Sequence, residues 1–179
     1  MKNILKRQAL GAYITLGALV LAIVGLILFG ATLAAGDGVQ TANGGELYLI
    51  ASDPIFGTVT TLGIFSVLFY LVGCLAGQFR FAGIVGKVID AVGYVFRVLA
   101  PVFLILTFVA FLNGTLTGLG WTFFSNEELE INPDAVTAGY INITGLAFII
   151  VSAVAGIVAA FFKVTKDVEE AQPAPEAAE

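Results

Sequence analysis

The chain has 179 residues, of which 59% are hydrophobic and only 12% are charged, with a mean hydropathy of +0.99. A soluble domain is about half apolar and a quarter charged, so this composition indicates an integral membrane protein. Histidine is absent and Cys74 is the only cysteine, which excludes an intrachain disulfide, a Cys/His metal site and a catalytic Cys–His pair. We expect no cofactor, no nucleic-acid partner and no enzymatic activity.

Four long apolar runs predict a bundle of four transmembrane helices, with spans at about 9–34, 55–77, 98–120 and 138–162. These runs reach the ~20 residues that a helix needs to cross the hydrocarbon core, and they are continuous rather than alternating, which favours helices over a barrel. The first run is longer than the apolar part of a signal peptide, so we expect it to be retained. The fold class is therefore all-α, with residues 1–165 as one four-span membrane domain.

The cations are sorted to one side of the predicted bundle. They occupy the N-terminus, the connection between the second and third spans, and the flank of the fourth: Lys2, Lys6, Arg7, Arg80, Lys87, Arg97, Lys163 and Lys166. The outer connections, 35–54 and 121–137, carry carboxylates and no cation. By the positive-inside rule, both termini are cytoplasmic. We expect a multi-pass protein of the cell membrane, by its composition a bacterial plasma membrane, with a disordered acidic tail at 166–179.

Residues 79–97 precede the third span and contain charges inside an apolar stretch. Lys87, Asp90, Tyr94 and Arg97 follow one another at helical spacing and share one stripe, with apolar residues on the remaining surface. This pattern predicts a separate amphipathic helix at the cytoplasmic surface, with Arg97 at the headgroups and a new helix near Pro101. The alternative register, roughly 89–111, places Arg97 inside the membrane as a functional residue.

Each outer connection contains a short segment with strand-forming residues, "ELYLIAS" in the first and "ELEIN" in the second. Paired together, they would form a small two-stranded β ribbon outside the membrane. On such a strand Glu128 and Glu130 lie on one face and could bind Ca²⁺, although no EF-hand pattern is present. We interpret them as a solvated acidic surface and predict no metal site.

No Asp, Glu, Lys or Arg lies within the four predicted spans, which leaves few polar residues as candidates for function. Asn113 and Asn142 could line an outer vestibule together with nearby threonines. Small residues at a spacing of four indicate close helix contact, either within the chain or with a second protein. Pairs of this kind are Gly73 with Gly77, Gly114 with Gly118, Ser152 with Gly156, and Ala18 with Ala22.

Three hypotheses follow from these features. The first, which we favour, is a non-enzymatic scaffold or accessory subunit that contacts a membrane protein partner or itself through helix faces and outer loops. The second is an oligomeric channel or transporter for a small solute. The third is a membrane enzyme, which would require the stripe around Asp90 and Arg97, or the outer acidic residues, to face a common pocket.

Overall fold

The structure, a computed structural model, describes residues 8–43, 54–78, 83–124 and 133–165. In this part of the chain it contains four helices: α1 Leu10–Asn43, α2 Pro54–Ala76, α3 Gly83–Phe124 and α4 Pro133–Ala160. All four are long and apolar enough to cross a membrane. The prediction of an all-helical chain with four potential spans is confirmed, and these helices suggest a multi-pass membrane protein.

Proline marks the beginning of two helices. α2 begins at Pro54 and α4 at Pro133, where the missing N–H would have had no partner within the helix and the fixed φ suits the first turn. α1 continues to Asn43, well past the predicted end of the first span at 34. Hydropathy detects only the apolar part of a helix, so the more polar last turns of α1 fell in the predicted outer connection.

The predicted break between a helix over 79–97 and a span over 98–120 is wrong, because α3 is one continuous helix of 42 residues with Pro101 inside it. At 1.5 Å per residue it is about 63 Å long. A bilayer with its headgroups is about 40–45 Å thick, so α3 is longer than any membrane it would cross.

Contacts with α2 explain why the helix continues through the proline. Pro101 removes one intrahelical hydrogen bond, a loss that packing against a neighbouring helix can offset. Before the proline, a Cβ at Gly93 would lie 2.7 Å from the Cβ of Ala76, so the two backbones are close together. Beside the proline, Ser66 Oγ donates a hydrogen bond to the carbonyl of Ala100 at 2.8 Å. α2 therefore supports α3 up to the proline.

The four helices are arranged as an up-down-up-down bundle. α1 packs most extensively on α4 and α2 on α3, while α3 also contacts α4 and α1 contacts α2 less closely. Each helix thus lies beside its neighbours in sequence, and the first lies beside the last. This order brings the beginning of α1 and the end of α4 together at one end of the bundle.

The centre of the bundle is filled by large side chains. The largest apolar groups with almost no exposed surface come from α2, α3 and α4: Tyr70, Phe111, Leu104, Ile149 and Val59. The ring of Phe29 on α1 meets that of Phe111 edge to face, with 4.8 Å between centroids. This geometry is the favourable one for two aromatic rings, so it stabilises the contact between α1 and α3.

Two hydrogen bonds that share Ser152 join three helices inside this core. The Tyr70 hydroxyl on α2 donates to the carbonyl of Ser152 on α4 at 3.2 Å, and Ser152 Oγ donates to the carbonyl of Ala18 on α1 at 2.6 Å. Gly156 lies one turn after Ser152, and a Cβ there would overlap the Tyr70 hydroxyl. The predicted small residues Ser152 and Gly156 therefore serve contacts within the chain, because they leave room for a tyrosine that crosses the bundle.

The outer surface of the helices is apolar. Large side chains on the outward faces are about half exposed or more, as at Ile27 (64%) and Val154 (54%). A soluble monomer rarely exposes apolar patches of such extent, whereas a helix facing lipid does so along its whole length.

Several predictions fall outside the described residues. These are the two strand segments of the outer ribbon, the acidic residues Glu128 and Glu130, and the tail 166–179. In the described ranges, the β-type pairing consists of a single isolated antiparallel bridge, which joins Gln8 to Thr165.

We expect Gly156→Ala to destabilise the bundle by about 1–3 kcal/mol, as overpacking does elsewhere, because the added methyl group must displace the buried ring of Tyr70. The control is Gly17→Ala, since a Cβ at Gly17 has nothing within 4 Å. Thermal unfolding in detergent, followed by tryptophan fluorescence, compares the two variants. Equal stability of both variants would contradict the tight contact between Gly156 and Tyr70.

Candidate functional site at the Arg97 end of the bundle

Arg97 lies near the end of the bundle at which α1 begins and α2 and α4 end, here named the Arg97 end. Its side chain is only 7% exposed. Gly73 on α2 makes this burial possible, because a Cβ at Gly73 would lie 2.5 Å from Arg97 Cγ. The structure thus places the predicted residues Arg97 and Gly73 in contact, with the guanidinium inside the protein rather than on a surface stripe.

The guanidinium of Arg97 binds the end of α4. Its Nη2 donates one hydrogen bond to the carbonyl of Ala159 and another, of 2.8 Å, to the carbonyl of Phe162. The last four carbonyls of a helix have no partner within it, and a cation at this end also interacts favourably with the helix dipole. Arg97 therefore caps α4 from the side of α3.

The residues that follow α4 in turn bind the beginning of α1. The N–H of Ala9 donates to the carbonyl of Val164 at 2.8 Å, and the N–H of Gly11 donates to the carbonyl of Lys163 at 3.2 Å. The first N–H groups of a helix also lack partners within it, so these bonds satisfy donors that would otherwise be buried and unpaired. The short segment after α4 therefore provides carbonyls both to Arg97, which caps α4, and to the N–H groups at the start of α1.

A pair of amides joins α1 to α2 at the same end. Gln8 Nε2 donates to Gln78 Oε1 at 2.7 Å, and Gln78 Nε2 donates back to Gln8 Oε1 at 3.0 Å. The sequence analysis did not single out either glutamine. Their positions in the sequence could have identified them, since each glutamine flanks an apolar run on the side where the cations lie.

A cavity of about 260 Å³ opens among these elements. Glycines and charged groups from α2, α3 and the segment after α4 line it: Gly73, Gly77, Asp90, Gly93, Tyr94, Arg97, Lys163, Val164 and Thr165. The structure thus brings together five of the predicted residues, namely Gly73, Gly77, Asp90, Tyr94 and Arg97. Lys87 is exposed on the same helix and does not line the cavity.

The chemistry of this cavity is that of a charged binding site. Arg97 and Lys163, which carry positive charge, line the same cavity as one carboxylate residue, Asp90. Among the described residues, no group of three or more His, Cys, Asp or Glu side chains is arranged to hold a metal ion. The arrangement can bind a ligand that carries negative charge, or both signs of charge, by direct hydrogen bonds.

The predicted asparagines lie elsewhere and do not face each other. Asn113 is exposed on α3, whereas Asn142 on α4 has no exposed surface. Thr115 Oγ1 lies 3.3 Å from Asn142 Oδ1 and 2.9 Å from the carbonyl of Phe111, and its single hydrogen can serve only one of them. Asn142 Nδ2 has no partner among the described residues. Turning the amide so that Nδ2 donates to Thr115 leaves Thr115 free to donate to Phe111, which satisfies both side chains better.

Comparison with known proteins returned no match, as no family model, curated protein or solved structure is similar to this chain.

We expect Arg97→Gln to lower the free energy of unfolding by about 2 kcal/mol, because hydrogen bonds from a charged donor contribute about 1.5–3 kcal/mol. The stability of Arg97→Lys should lie between that of the unsubstituted protein and that of Arg97→Gln, since lysine keeps the charge without the planar fork of donors. The matched control is Lys87→Gln, which removes a cation from an exposed position of the same helix. Thermal unfolding in detergent measures all three. An Arg97→Gln protein as stable as Lys87→Gln would contradict the capping role.

Proposed function

We propose that this chain is a four-span, non-enzymatic membrane protein that acts as a scaffold or accessory subunit through the faces of its helices. The observation that carries the proposal is the filled interior of the bundle. Tyr70, Leu104, Phe111 and Ile149 occupy the centre with almost no accessible surface. A protein whose own core is closed in this way presents its chemistry on its outer faces and at its ends.

The polar groups of the core support the same proposal, because they are used in helix contacts. Thr15, Thr32 and Thr107 each donate to the carbonyl four residues earlier in their own helix, at 2.7–2.9 Å. This is the common behaviour of hydroxyl groups in transmembrane helices. Ser66 and Ser152 donate to carbonyls of neighbouring helices instead. The two serines therefore link helices, the three threonines bond within their own helix, and the hydrogen of each of the five hydroxyls is used inside the protein.

The alternative of a channel or transporter is less well supported by the same residues. It required Asn113, Thr115, Thr117 and Asn142 to line one vestibule, but Asn113 and Thr117 are exposed on the outside of α3. Thr115 and Asn142 are buried against each other. The channel alternative therefore requires a pore between several copies of the chain, with Asn113 and Thr117 facing that pore.

The outer faces offer places for a partner or a second copy to pack. A Cβ at Gly17, Gly30 or Gly57 would have nothing within 4 Å, so the backbone is uncovered at three points on α1 and α2. Uncovered small residues allow another transmembrane helix to approach closely. This supports a membrane protein partner or self-association, in addition to the lipid bilayer itself.

The same proposal gives the chain a location and an orientation. Arg97 and Lys163 line the cavity at the Arg97 end, and the segments predicted to lie outside carry carboxylates without a cation. The positive-inside rule then predicts that both termini are cytoplasmic. The scarcity of Cys and His and the Ala/Glu-rich tail fit a bacterial plasma membrane. On this orientation Arg97 and its cavity lie at the cytoplasmic boundary of the bilayer.

Single cysteines test the orientation. In a Cys74→Ala background, we expect Lys166→Cys to react with a membrane-impermeant maleimide only in inside-out vesicles. Glu128→Cys should react only in right-side-out vesicles, because the two positions lie on opposite sides of the predicted membrane. The reverse pattern, or labelling of both from one side, would contradict the topology.

A crosslinking experiment tests the scaffold role. A photoreactive leucine analogue at Leu16, which is 52% exposed, should give a discrete protein adduct in native membranes. The matched control is the same analogue at Leu19, which is only 7% exposed and should give none. Exposed positions Leu68 and Val154 extend the test to α2 and α4. Lipid adducts alone at every exposed position would refute a protein partner.

The channel alternative needs a separate measurement. Purified protein in liposomes should pass neither ions nor small polar solutes faster than empty liposomes do, because the core is filled. Solute flux that falls when Asn113 or Thr117 is replaced by leucine would overturn the scaffold proposal in favour of an oligomeric pore.

A further inference from the structure

The cavity at the Arg97 end contains three charges whose combination is selective. Arg97 and Lys163 contribute positive charge and Asp90 contributes negative charge, all in the lining of one space of about 260 Å³. A simple anion would be attracted by the two cations but repelled by the carboxylate. A ligand that carries a phosphate at one end and an ammonium group at the other would use all three side chains.

Arg97 also has hydrogen-bonding capacity that the chain does not fill. Both of its bonds to carbonyls come from Nη2, and its Nε is buried without a partner in the described part of the chain. Leaving such a donor buried and unpaired is unfavourable by about 1–3 kcal/mol, and more when the group is charged. A phosphate in the cavity, which Arg97 lines, would be attracted by the positive charge of this guanidinium.

The size of the cavity fits a headgroup rather than a larger molecule. Its volume of about 260 Å³ lies just below the range of about 300–1,000 Å³ that is usual for small-molecule sites. Gly73, Gly77 and Gly93 line it. A Cβ at these glycines would meet Arg97, Val164 and Ala76 respectively, so they mark close packing of the elements around the cavity. Val72, Leu75 and Val95 are exposed apolar residues of α2 and α3 at the same end of the bundle.

We propose that this cavity binds the headgroup of a phospholipid that carries a primary amine, of the phosphoethanolamine type. The phosphate lies against Arg97 and Lys163, the ammonium group donates to Asp90, and the acyl chains follow the apolar faces of α2 and α3. The proposal rests on the bundle spanning a membrane with its Arg97 end at the headgroups, and not on the scaffold role. Basic pockets between transmembrane helices on the cytoplasmic side are known sites for lipid headgroups.

Lipid competition on the intact, detergent-purified chain tests the site. Native mass spectrometry compares phosphatidylethanolamine, phosphatidylglycerol and phosphatidylcholine with identical acyl chains. The first should bind most tightly, because phosphatidylglycerol lacks the amine and the quaternary ammonium of phosphatidylcholine cannot donate a hydrogen bond to Asp90. Equal binding of the three lipids would overturn the proposal.

Two exposed residues allow substitutions that leave the capping bonds of Arg97 intact. Asp90→Asn should reduce binding of phosphatidylethanolamine about tenfold, because the contact with the amine is lost. It should not weaken phosphatidylglycerol, because the anionic headgroup is freed from the repulsion of the carboxylate. Lys163→Gln should weaken both lipids about fivefold, the effect of one cation at a membrane surface. Lys87→Gln, which removes a cation outside the cavity, should change neither. An equal loss of lipid affinity in Lys87→Gln and Lys163→Gln would overturn the assignment of lipid binding to this cavity.

A soluble headgroup distinguishes a lipid from a free phosphate ester. Glycerophosphoethanolamine should compete only at concentrations far above those of the lipid, because it lacks the acyl chains. Competition at equal concentration would overturn the lipid assignment in favour of a soluble ligand. The lipid tests and the test of the scaffold role can fail separately. Solute flux through liposomes would refute the scaffold role, but it would not change the preference for phosphatidylethanolamine or the loss of that preference in Asp90→Asn.

Discussion

The bonds from the Arg97 guanidinium to the last carbonyls of α4 are the interaction on which the Arg97 end depends. They hold the end of α4 against α3 through Ala159 and Phe162. Residues just beyond Phe162 are thereby placed to offer their carbonyls to the first N–H groups of α1. The end of α4 and the start of α1 therefore stabilise each other, because the terminal backbone groups of a helix have no partners within it.

Much of the fold was predictable because its main signal is local. A continuous apolar run of about twenty residues indicates a spanning helix wherever it occurs, and a proline after a polar connection indicates where a helix begins. Both α2 and α4 begin at such prolines, Pro54 and Pro133. The small residues Gly73 and Gly156 were also recognisable as points of close contact, although their partners, Arg97 and Tyr70, were not.

The environment of Arg97 could not be predicted from the sequence because its partners are distant in the chain. The two carbonyls that it binds lie 62 and 65 residues away. A backbone carbonyl is present at every position, so no residue type marks these two as ligands. Helical spacing placed Arg97 on a polar stripe with Lys87, and such a stripe predicts a surface helix. The structure separates them, with Lys87 exposed and Arg97 covered by α2 and by the end of α4.

The pairing of Ala9 and Gly11 with Val164 and Lys163 has a consequence for biosynthesis. The first helix leaves the ribosome long before the residues that complete its N-terminal turn have been translated. Until α4 is inserted, both the start of α1 and the guanidinium of Arg97 lack these partners. Contacts between segments so far apart in sequence form late, because the intervening chain must be ordered first. The Arg97 end can therefore close only after the fourth helix has been synthesised.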